Sequence, residues 1–401
     1  MNNNKLLLQK EGSVEFFIHK SDKGEIPSKS MSVFYNKDME INRDITISSV
    51  VTYKKLYNVE PLIIVDSMAA SGITSIRLLN EYRSIKKIYI NDLNPAAVEL
   101  IIKNLELNSI SLNQVEVSNE EANSLFLKLA QQNGIKRPNI IIIDPFGTPS
   151  YFIDAASKAI QKQSGLLSIT ATDTAVLFGV RKKACIKKYL SQPLHIEYCK
   201  EIGARILLYF ISKIANINNL GIIPLLTFYS RHFIKVLALT YKGNNKIYKN
   251  LSNFGYILHC SDCGYRSIYP ENILKIPNKC PICKTNSALK YAGPLWINEL
   301  HDKIFLQRLI IHNNNSTFSN KNKINKILNL ALKEIDMPAT YYNIHKLCEK
   351  LKKSQVPKIE SIINKIKNTG GQASRTHFDF LSIKTNIGIK RLEKIISEMN
   401  D

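Results

Sequence analysis

The sequence contains no long apolar run. Its longest uninterrupted aliphatic stretches, such as Ile140 to Ile143, are far shorter than the roughly 20 residues of a membrane-spanning helix, which excludes a transmembrane protein. The only apolar group near the start is Leu6 to Leu8, so the apolar segment of about 7–15 residues that a secretory signal requires is also missing. We therefore expect a soluble, cytoplasmic protein.

Acidic residues are scarce relative to basic ones. The 401-residue chain has 33 Asp and Glu against 55 Lys and Arg, a formal net charge of +22. This excess favours a polyanionic partner, because Lys and Arg neutralise phosphates and release counterions. Nucleic acid is the partner that the charge predicts, although a proteome rich in Lys, Asn and Ile would produce the same balance.

Cysteine is also infrequent, but four of the seven cysteines are grouped in the pattern C-x2-C-x16-C-x2-C. The four are Cys260, Cys263, Cys280 and Cys283. In a cytoplasmic protein this spacing is typical of a zinc site rather than of disulfides. Four thiolates complete a tetrahedron and leave no open position, so we predict structural Zn²⁺. The alternative is four reduced cysteines without a metal.

Between residues 61 and 172 short β-branched runs alternate with helix-like segments. The runs are Leu62 to Val65, Ile88 to Ile90, Ile140 to Ile143 and Leu166 to Ile169. Continuous apolar strands that alternate with helices predict an α/β fold with a doubly wound parallel sheet, whose ligands bind at the carboxyl ends of the strands. The later runs at 222–228 and 233–241 are predicted to complete this sheet.

The turn-forming residues at 243–246 predict a domain boundary, which gives domains 1–242 and 243–401. The second domain would be a smaller α+β unit with a zinc ribbon at about 256–292. Near its end, two short helical segments at 343–353 and 358–368 precede two extended pieces. This order is typical of a winged-helix-like segment, a layout often used on nucleic acid.

The loop after the first predicted strand favours S-adenosylmethionine over a dinucleotide. It has one glycine, Gly72, where a pyrophosphate cradle wants three. We predict that Asp66 and Gly72 belong to the cofactor site and that Asp92, after the next strand, binds the ribose. Glu121 and Ala122 could bracket the adenine. The alternative for Asp92 is a helix cap next to Pro95.

The fourth strand ends in D-P-F-G, which resembles the tetrad of enzymes that methylate exocyclic amines of nucleobases. Such an amine is a poor nucleophile, so hydrogen bonds to a carboxylate and a backbone carbonyl must hold its protons and orient it. Asp144 would be that carboxylate, Pro145 would supply the carbonyl, and the ring of Phe146 would stack on a flipped base. The alternative is an ordinary strand-to-turn junction.

Together the motifs resemble the tRNA (guanine-26, N2) dimethyltransferases of archaea and eukaryotes. The resemblance covers nearly the whole chain and depends on these segments: Phe34-Tyr35-Asn36, Asn42-Arg43-Asp44, Asp66 to Gly72, Asn91-Asp92, Asp144 to Gly147, Thr170 to Asp173, Glu201 to Leu207, Ala292 to Trp296 and Arg375 to Phe378.

This resemblance implies a class I, Rossmann-like S-adenosylmethionine-dependent methyltransferase domain and a C-terminal tRNA-binding domain. By position, Arg43 would hold the cofactor's carboxylate, and Arg77 would replace an arginine that the family more often has directly after the glycine loop. Asp144 would be the catalytic acid. The expected reaction gives N2,N2-dimethylguanosine at position 26 of tRNA. Two alternatives remain: a noncatalytic zinc-ribbon RNA-binding factor, and a nucleobase amino-methyltransferase that acts on another nucleic acid.

Overall fold

The computed structural model describes residues 6–22, 31–82, 84–131, 137–270 and 277–399. The chain begins with an antiparallel hairpin of β1 (Leu6–Glu11) and β2 (Val14–His19), which turns at Gly12 with a φ of +57°. Helix α1 (Glu40–Tyr57) follows and is buried along most of its length. In the described ranges no helix is long and apolar enough to span a membrane.

Helices on both faces enclose a central sheet. The elements in chain order are β3 (Leu62–Asp66), α2 (Ile73–Glu81), β4 (Ile85–Asn91), α3 (Pro95–Leu107), β5 (Val115–Ser118), α4 (Ala122–Gln131), β6 (Ile140–Ile143), α5 (Ile153–Ala159), β7 (Leu166–Ala171), α6 (Thr174–Leu177), α7 (Lys182–Tyr189), α8 (Cys199–Ile217), β8 (Gly221–Ser230) and β9 (Phe233–Tyr241). In the described part of the chain the sheet has seven strands in the order β5-β4-β3-β6-β7-β9-β8.

The predicted doubly wound sheet is confirmed, with one difference. Strands β3 to β7 pair in parallel, whereas β9 runs antiparallel to both β7 and β8. A tight turn joins β8 to β9, and such a turn can only connect antiparallel neighbours. From β3 the chain first builds outward to β5 and then returns to β6 on the other side. The order therefore reverses between β3 and β6, where open α/β sheets bind their ligands.

The rest of the chain adds two smaller sheets and six more helices within the described residues. These elements are α9 (Asn244–Leu251), β10 (Phe254–Cys260), β11 (Arg266–Pro270), β12 (Leu289–Trp296), α10 (Lys303–Asn314), α11 (Lys321–Glu334), β13 (Tyr342–Asn343), α12 (Ile344–Lys350), α13 (Ile359–Asn368), β14 (Ala373–Arg375), β15 (Ser382–Thr385) and α14 (Ile389–Ser397). The predicted order of two helices followed by a β-ribbon is confirmed by α12, α13, β14 and β15.

Two large cores cover the two faces of the central sheet, and both continue past residue 243. One includes Trp296 and Phe378, and the other includes Phe305 and Leu328, each together with residues of the central sheet. Helix α10 packs directly on α1. The elements after residue 341 also enclose a core of their own. The first 242 residues therefore share most of their hydrophobic interior with the chain that follows them.

A buried network of charges joins the last segment to helix α8. The Lys384 ammonium lies 2.8 Å from Glu201 Oε1 and 3.3 Å from Glu334 Oε2. On α8, Arg205 also pairs with Glu201, and His377 Nδ1 lies 2.7 Å from Glu334 Oε1. All five side chains are buried. Each acid therefore has a basic partner, which a charge removed from water requires.

Candidate active site

A cavity of about 380 Å³ opens at the reversal point between β3 and β6. This volume lies within the range of small-molecule sites. Its wall includes Phe34, Tyr35, Arg43, Asp66, Ala69, Ala70, Ser71, Asp144, Pro145, Phe146, Asp173 and His232. The structure thus brings five of the predicted site residues to one wall: Arg43, Asp66, Asp144, Pro145 and Phe146.

Asp144 follows β6 directly, and a side chain on α1 holds its carboxylate. The Asn42 amide Nδ2 donates a 2.8 Å hydrogen bond to Asp144 Oδ2 and also lies 3.3 Å from Thr170 Oγ1 on β7. Burial raises the pKa of Asp144, while Lys235 and Arg43 oppose this rise. The carboxylate is therefore fixed in direction, and nearby cations favour its ionised form.

Phe146 presents an aromatic face to the mouth of the cavity. Its side chain is 48% exposed, and its ring meets Phe34 edge-on with 5.3 Å between the centroids. The next residue, Gly147, has a φ of +112°. Its N–H donates to Thr172 Oγ1, and its carbonyl accepts from the Thr172 N–H at 2.9 Å. These bonds join the loops after β6 and β7, so the position of Phe146 is set by two strands.

Asp66 ends β3 beneath the loop that begins α2. Its Oδ2 accepts a 2.7 Å hydrogen bond from Ser75 Oγ. Burial, together with Asp144 and Asp92, raises the pKa of Asp66 to about 7. In the loop, Gly72 has a φ of +76°, and a Cβ there would lie 3.1 Å from Ile101 Cγ1. Glycine therefore fits both the turn and the close approach to α3.

Asp92 connects two loops of the site. Its Oδ2 accepts a 2.8 Å hydrogen bond from the Ala70 N–H, and its Oδ1 accepts one from the Asn94 N–H at 2.9 Å. The residue that caps α3 is Asn94, whose side chain accepts from the Ala96 N–H. The helix-cap interpretation of Asp92 is therefore wrong, and its carboxylate instead supports the loop that lines the cavity.

Arg43 is buried at the cavity wall and paired with an acid from the N-terminal hairpin. Its Nε and Nη2 lie 2.7 and 2.5 Å from the two carboxylate oxygens of Glu11. Its guanidinium carbon is 5.3 Å from the centre of the Tyr35 ring. Burial raises the pKa of Glu11, but Arg43 and Arg77 outweigh burial and hold that pKa below its usual range. The pair is therefore ionised, and its geometry is bidentate.

Arg77 does not line the cavity. It is 0% exposed, and its Nη1 lies 2.8 Å from Asp44 and 3.0 Å from Glu11. Its Nε pairs with Glu81. Three acids therefore surround this guanidinium. Arg77 is paired inside the protein and is not part of the cavity wall.

Glu121 and Ala122 also lie away from the cavity wall. The Glu121 carboxylate accepts a 3.0 Å hydrogen bond from the Ser124 N–H and another from Asn123 Nδ2. It therefore caps the start of α4, as acids near helix starts commonly do. Ala122 is buried in the core.

Two residues beside the site were not singled out from the sequence. Glu11 lies in a hairpin with no recognisable motif, so no sequence signal indicated its pairing with Arg43. Lys235 is 0% exposed in β9, and its Nζ donates to Thr170 Oγ1 at 3.2 Å. A signal existed for Lys235, because a single charged residue interrupts the apolar run from Phe233 to Tyr241.

The four grouped cysteines converge at the tip of the small sheet formed by β10, β11 and β12. Their sulfurs all lie within 4.8 Å of one another, with 3.5 Å for both Cys260–Cys283 and Cys263–Cys280. Gly264 and Lys284 each follow a C-x2-C pair with positive φ, and each N–H bonds back to the first cysteine carbonyl. Both pairs therefore form the same tight turn.

Comparisons with known proteins agree with this geometry. The profile of the family "N2,N2-dimethylguanosine tRNA methyltransferase" matches residues 12–397. A tRNA (guanine(26)-N(2))-dimethyltransferase of Methanosphaera stadtmanae is 36% identical over 374 residues, which are 93% of each chain. The chain belongs to the N2,N2-dimethylguanosine tRNA methyltransferase family.

Two further members extend the comparison. A tRNA (guanine(26)-N(2)/guanine(27)-N(2))-dimethyltransferase of Aquifex aeolicus is 33% identical over 380 residues, which are 94% of this chain and 93% of that protein. The solved structure of Trm1 from Pyrococcus horikoshii, in complex with S-adenosyl-L-methionine, is 28% identical with a TM-score of 0.83, and the match covers 98% of this chain and 100% of that one. The resemblance read from the sequence motifs is therefore confirmed.

Proposed function

We propose that the chain transfers methyl groups from S-adenosylmethionine to the exocyclic 2-amino group of guanine 26 in tRNA, which gives N2,N2-dimethylguanosine. The observation that carries this proposal is the joint position of Asp144 and Phe146 on one cavity at the reversal point of the sheet. One group can accept hydrogen bonds from an amine and the other can stack on a base. Membership of the family supports the choice of reaction.

The cofactor is proposed to bind on the side of the cavity formed by Asp66 and the loop through Gly72. Ala69, Ala70 and Ser71 line the wall there, and the backbone is turned by positive φ at Ala70 and Gly72. Asp92 would accept the ribose hydroxyls, since a carboxylate retains lone pairs beyond the two bonds it makes to the loops. Arg43 would hold the cofactor's carboxylate through Nη1, because Glu11 and the Asn36 carbonyl already engage Nε and Nη2.

The remaining cofactor assignments are less direct. Glu121 and Ala122 would bracket the adenine only after the α4 cap rearranges, because the Glu121 carboxylate is engaged with Asn123 and Ser124. Arg77 would act through Glu11, which it shares with Arg43. Its proposed role is therefore to support the arginine at the wall.

In the mechanism the protein positions an amine rather than forming a covalent intermediate. Bound S-adenosylmethionine supplies an electrophilic methyl group on a sulfonium. The amine hydrogens would bond to the Asp144 carboxylate and the Pro145 carbonyl, which directs the nitrogen lone pair along the line of transfer. The nitrogen forms a bond to the methyl carbon, the carbon–sulfur bond breaks with its electron pair on sulfur, and Asp144 accepts the amine proton and releases it to water.

The four cysteines are proposed to hold structural Zn²⁺. Four thiolates at about 2.3 Å from a tetrahedral zinc lie about 3.8 Å apart, close to the 3.5 Å between the paired sulfurs. With no open position, this zinc would take no part in methyl transfer. It would fix the turn at the tip of β10, within a ribbon at about 256–292.

The region 243–401 is proposed as a tRNA-binding domain that follows a methyltransferase domain at 1–242. Exposed basic residues at the N-cap of α13 and on α13 and α14 offer contacts for phosphates: Lys358, Lys365, Lys367, Lys390, Arg391 and Lys394. At the start of α7, Arg181, Lys182 and Lys183 are also exposed to solvent. Both surfaces suit the backbone of an RNA in the cytoplasm, because phosphate contacts position a nucleic acid without reading its sequence.

The test is methyl transfer from labelled S-adenosylmethionine to unmodified tRNA transcripts, followed by digestion and mass spectrometry of the nucleosides. We expect dimethylguanosine that disappears when guanine 26 is replaced by adenine, while replacement of guanine 27 shows whether that neighbour is also accepted. Asp144→Asn should abolish transfer and keep tRNA binding. Asp154→Asn, at an exposed acid on α5, is the matched control. Full activity of Asp144→Asn would contradict the assignment of Asp144.

A further inference from the structure

Lys235 is a charged side chain buried within the central sheet, on the strand next to its β8 edge. It lies on β9, 0% exposed, and its neighbours across the strands are Thr170 on β7 and Phe228 on β8. An ammonium group in a protein interior is strongly unfavourable unless opposite charges and hydrogen-bond acceptors compensate for the lost water. The groups that face Lys235 therefore indicate why a lysine is present there.

A chain of hydrogen bonds runs from Lys235 to the wall of the cavity. The Nζ donates to Thr170 Oγ1 at 3.2 Å, and the same oxygen lies 3.3 Å from Asn42 Nδ2. Asn42 Nδ2 in turn donates to Asp144 Oδ2 at 2.8 Å. Thr170 Oγ1 also lies 3.5 Å from Asn42 Oδ1, so the hydroxyl and the amide contact each other at two points. Thr170 and Asn42 both oppose the rise that burial causes in the pKa of Asp144.

The charges around this chain come from several elements. Asp66 at the end of β3 and Asp144 after β6 both interact with Lys235, and Asp92 contributes at Asp66. From α1, Arg43 also faces Asp144, but Glu11 already pairs with it in a bidentate manner. At the turn before β9, burial lowers the pKa of His232 while Asp144 opposes this shift.

Lys235 and Asp144 affect each other in opposite directions. Burial lowers the pKa of Lys235 to about 8, and Asp144 and Asp66 oppose that decrease. Burial raises the pKa of Asp144, and Lys235 opposes that rise more than any other side chain does. The lysine is thus the main cation that stabilises the ionised carboxylate from inside the sheet.

We propose that Lys235 is a positioning residue that, through Thr170 and Asn42, keeps the Asp144 carboxylate ionised and directed at the incoming amine. The inference rests on the proposed function, because it gives Lys235 a role only if Asp144 receives the amine proton. Without the ammonium, the Asp144 carboxylate would stay protonated up to a higher pH. The protonated group would donate a hydrogen bond to the amine, whereas the reaction requires it to accept one.

The experiment compares the pH dependence of single-turnover methyl transfer in wild type, Lys235→Met and Thr170→Val, with tRNA and S-adenosylmethionine saturating. Methionine keeps the length of the side chain and removes its charge, and valine removes the hydroxyl with little change of shape. Lys87→Met is the matched control, since Lys87 lies on β4 of the same sheet and pairs with Glu116 at 2.9 Å. Calorimetry with S-adenosylhomocysteine and filter binding of tRNA show whether each variant retains its ligand sites.

We expect Lys235→Met to bind both ligands like wild type and to lose about tenfold in rate at pH 6. The rate of Lys235→Met should begin to rise at a higher pH than the rate of wild type. The pH profile of Thr170→Val should shift in the same direction, and that of Lys87→Met should match wild type. A wild-type profile in Lys235→Met overturns the inference. If Lys235→Met does not fold, Thr170→Val decides, and an unshifted profile there overturns it.

Asp144→Asn, measured in the same series, separates this inference from the proposed function. If Asp144→Asn is inactive and Lys235→Met is unchanged, only the role of Lys235 is wrong. If Asp144→Asn is fully active, the catalytic assignment of Asp144 fails, and the role given to Lys235 fails with it.

Discussion

Replacing Glu11 with glutamine tests how the arginine beside the cavity is held. Glu11 is 3% exposed and accepts from Arg43 at 2.5 and 2.7 Å and from Arg77 at 3.0 Å. Removing one partner of a buried ion pair costs about 3–5 kcal/mol. Because Arg77 keeps Asp44 and Glu81, the loss falls mainly on Arg43, and we expect the lower value, about 3 kcal/mol.

This loss corresponds to a measurable change in melting temperature. At about 2.1 cal/mol/K per residue, the 401-residue chain has an unfolding entropy of about 0.84 kcal/mol/K, so about 3 kcal/mol lowers Tm by about 4 °C. Calorimetric melting measures this change. The proposed cofactor role of Arg43 also predicts weaker binding of S-adenosylhomocysteine, which isothermal titration measures.

The matched control is Glu15→Gln, at an exposed acid in the same hairpin. Surface substitutions of this kind change stability by no more than about 0.5 kcal/mol. If Glu11→Gln and Glu15→Gln melt at the same temperature, the buried pair does not stabilise the wall, and the argument from Glu11 is refuted.

Three further predictions follow from other parts of the molecule. Phe146→Ala should lower kcat/KM for tRNA by about tenfold or more, since a stacked base contributes about 1–3 kcal/mol, whereas Tyr151→Ala, at a neighbouring aromatic that is 64% exposed, should not; equal kinetics would contradict stacking. Elemental analysis should find one zinc per chain, and Cys263→Ser should lose it; zinc retained by that variant would contradict the four-thiolate site. Burial holds the pKa of His301 well below its usual range, and His377 and Lys384 outweigh burial to lower the pKa of Glu334. The unfolded chain therefore binds more protons than the folded chain, at His301 below about pH 6.5 and at Glu334 below about pH 4.3. Urea unfolding should show wild type losing stability between pH 7.5 and 5.5 relative to His301→Gln, and parallel curves would contradict this.

Strands such as β3 and β6 could be predicted because each is a short continuous run of apolar, mostly β-branched residues. Both faces of such a strand are buried, so the signal is local and needs no knowledge of distant partners. The cysteine spacing and the D-P-F-G tetrad are also local patterns. The structure places Asp66 and Asp144 on one wall, as expected for acids that follow neighbouring parallel strands, while their roles stay predictions.

Arg77 and Lys235 have partners that come from far along the chain, whereas Glu121 has local partners that a strand-end pattern does not distinguish from a ligand site. Arg77 is paired with Glu11, 66 positions earlier, and no local pattern indicates that contact. Glu121 follows a strand as a ligand-binding acid would, but the start of α4 uses it as a cap. Lys235 lies within a run that reads as an ordinary strand, and the acids that compensate its charge come from β3 and β6.

Helix α1 carries Asn42 and Arg43, but residues that are synthesised much later in the chain cover its other side. Phe305 and Leu328 complete the core around α1, and the Phe318 ring lies 5.2 Å from the Arg77 guanidinium. A ribosome that has released only the first 242 residues has therefore made every side chain of the cavity wall but not the support behind it. The cavity is completed late in synthesis, and a chain that stops early exposes apolar surface that proteases and chaperones recognise.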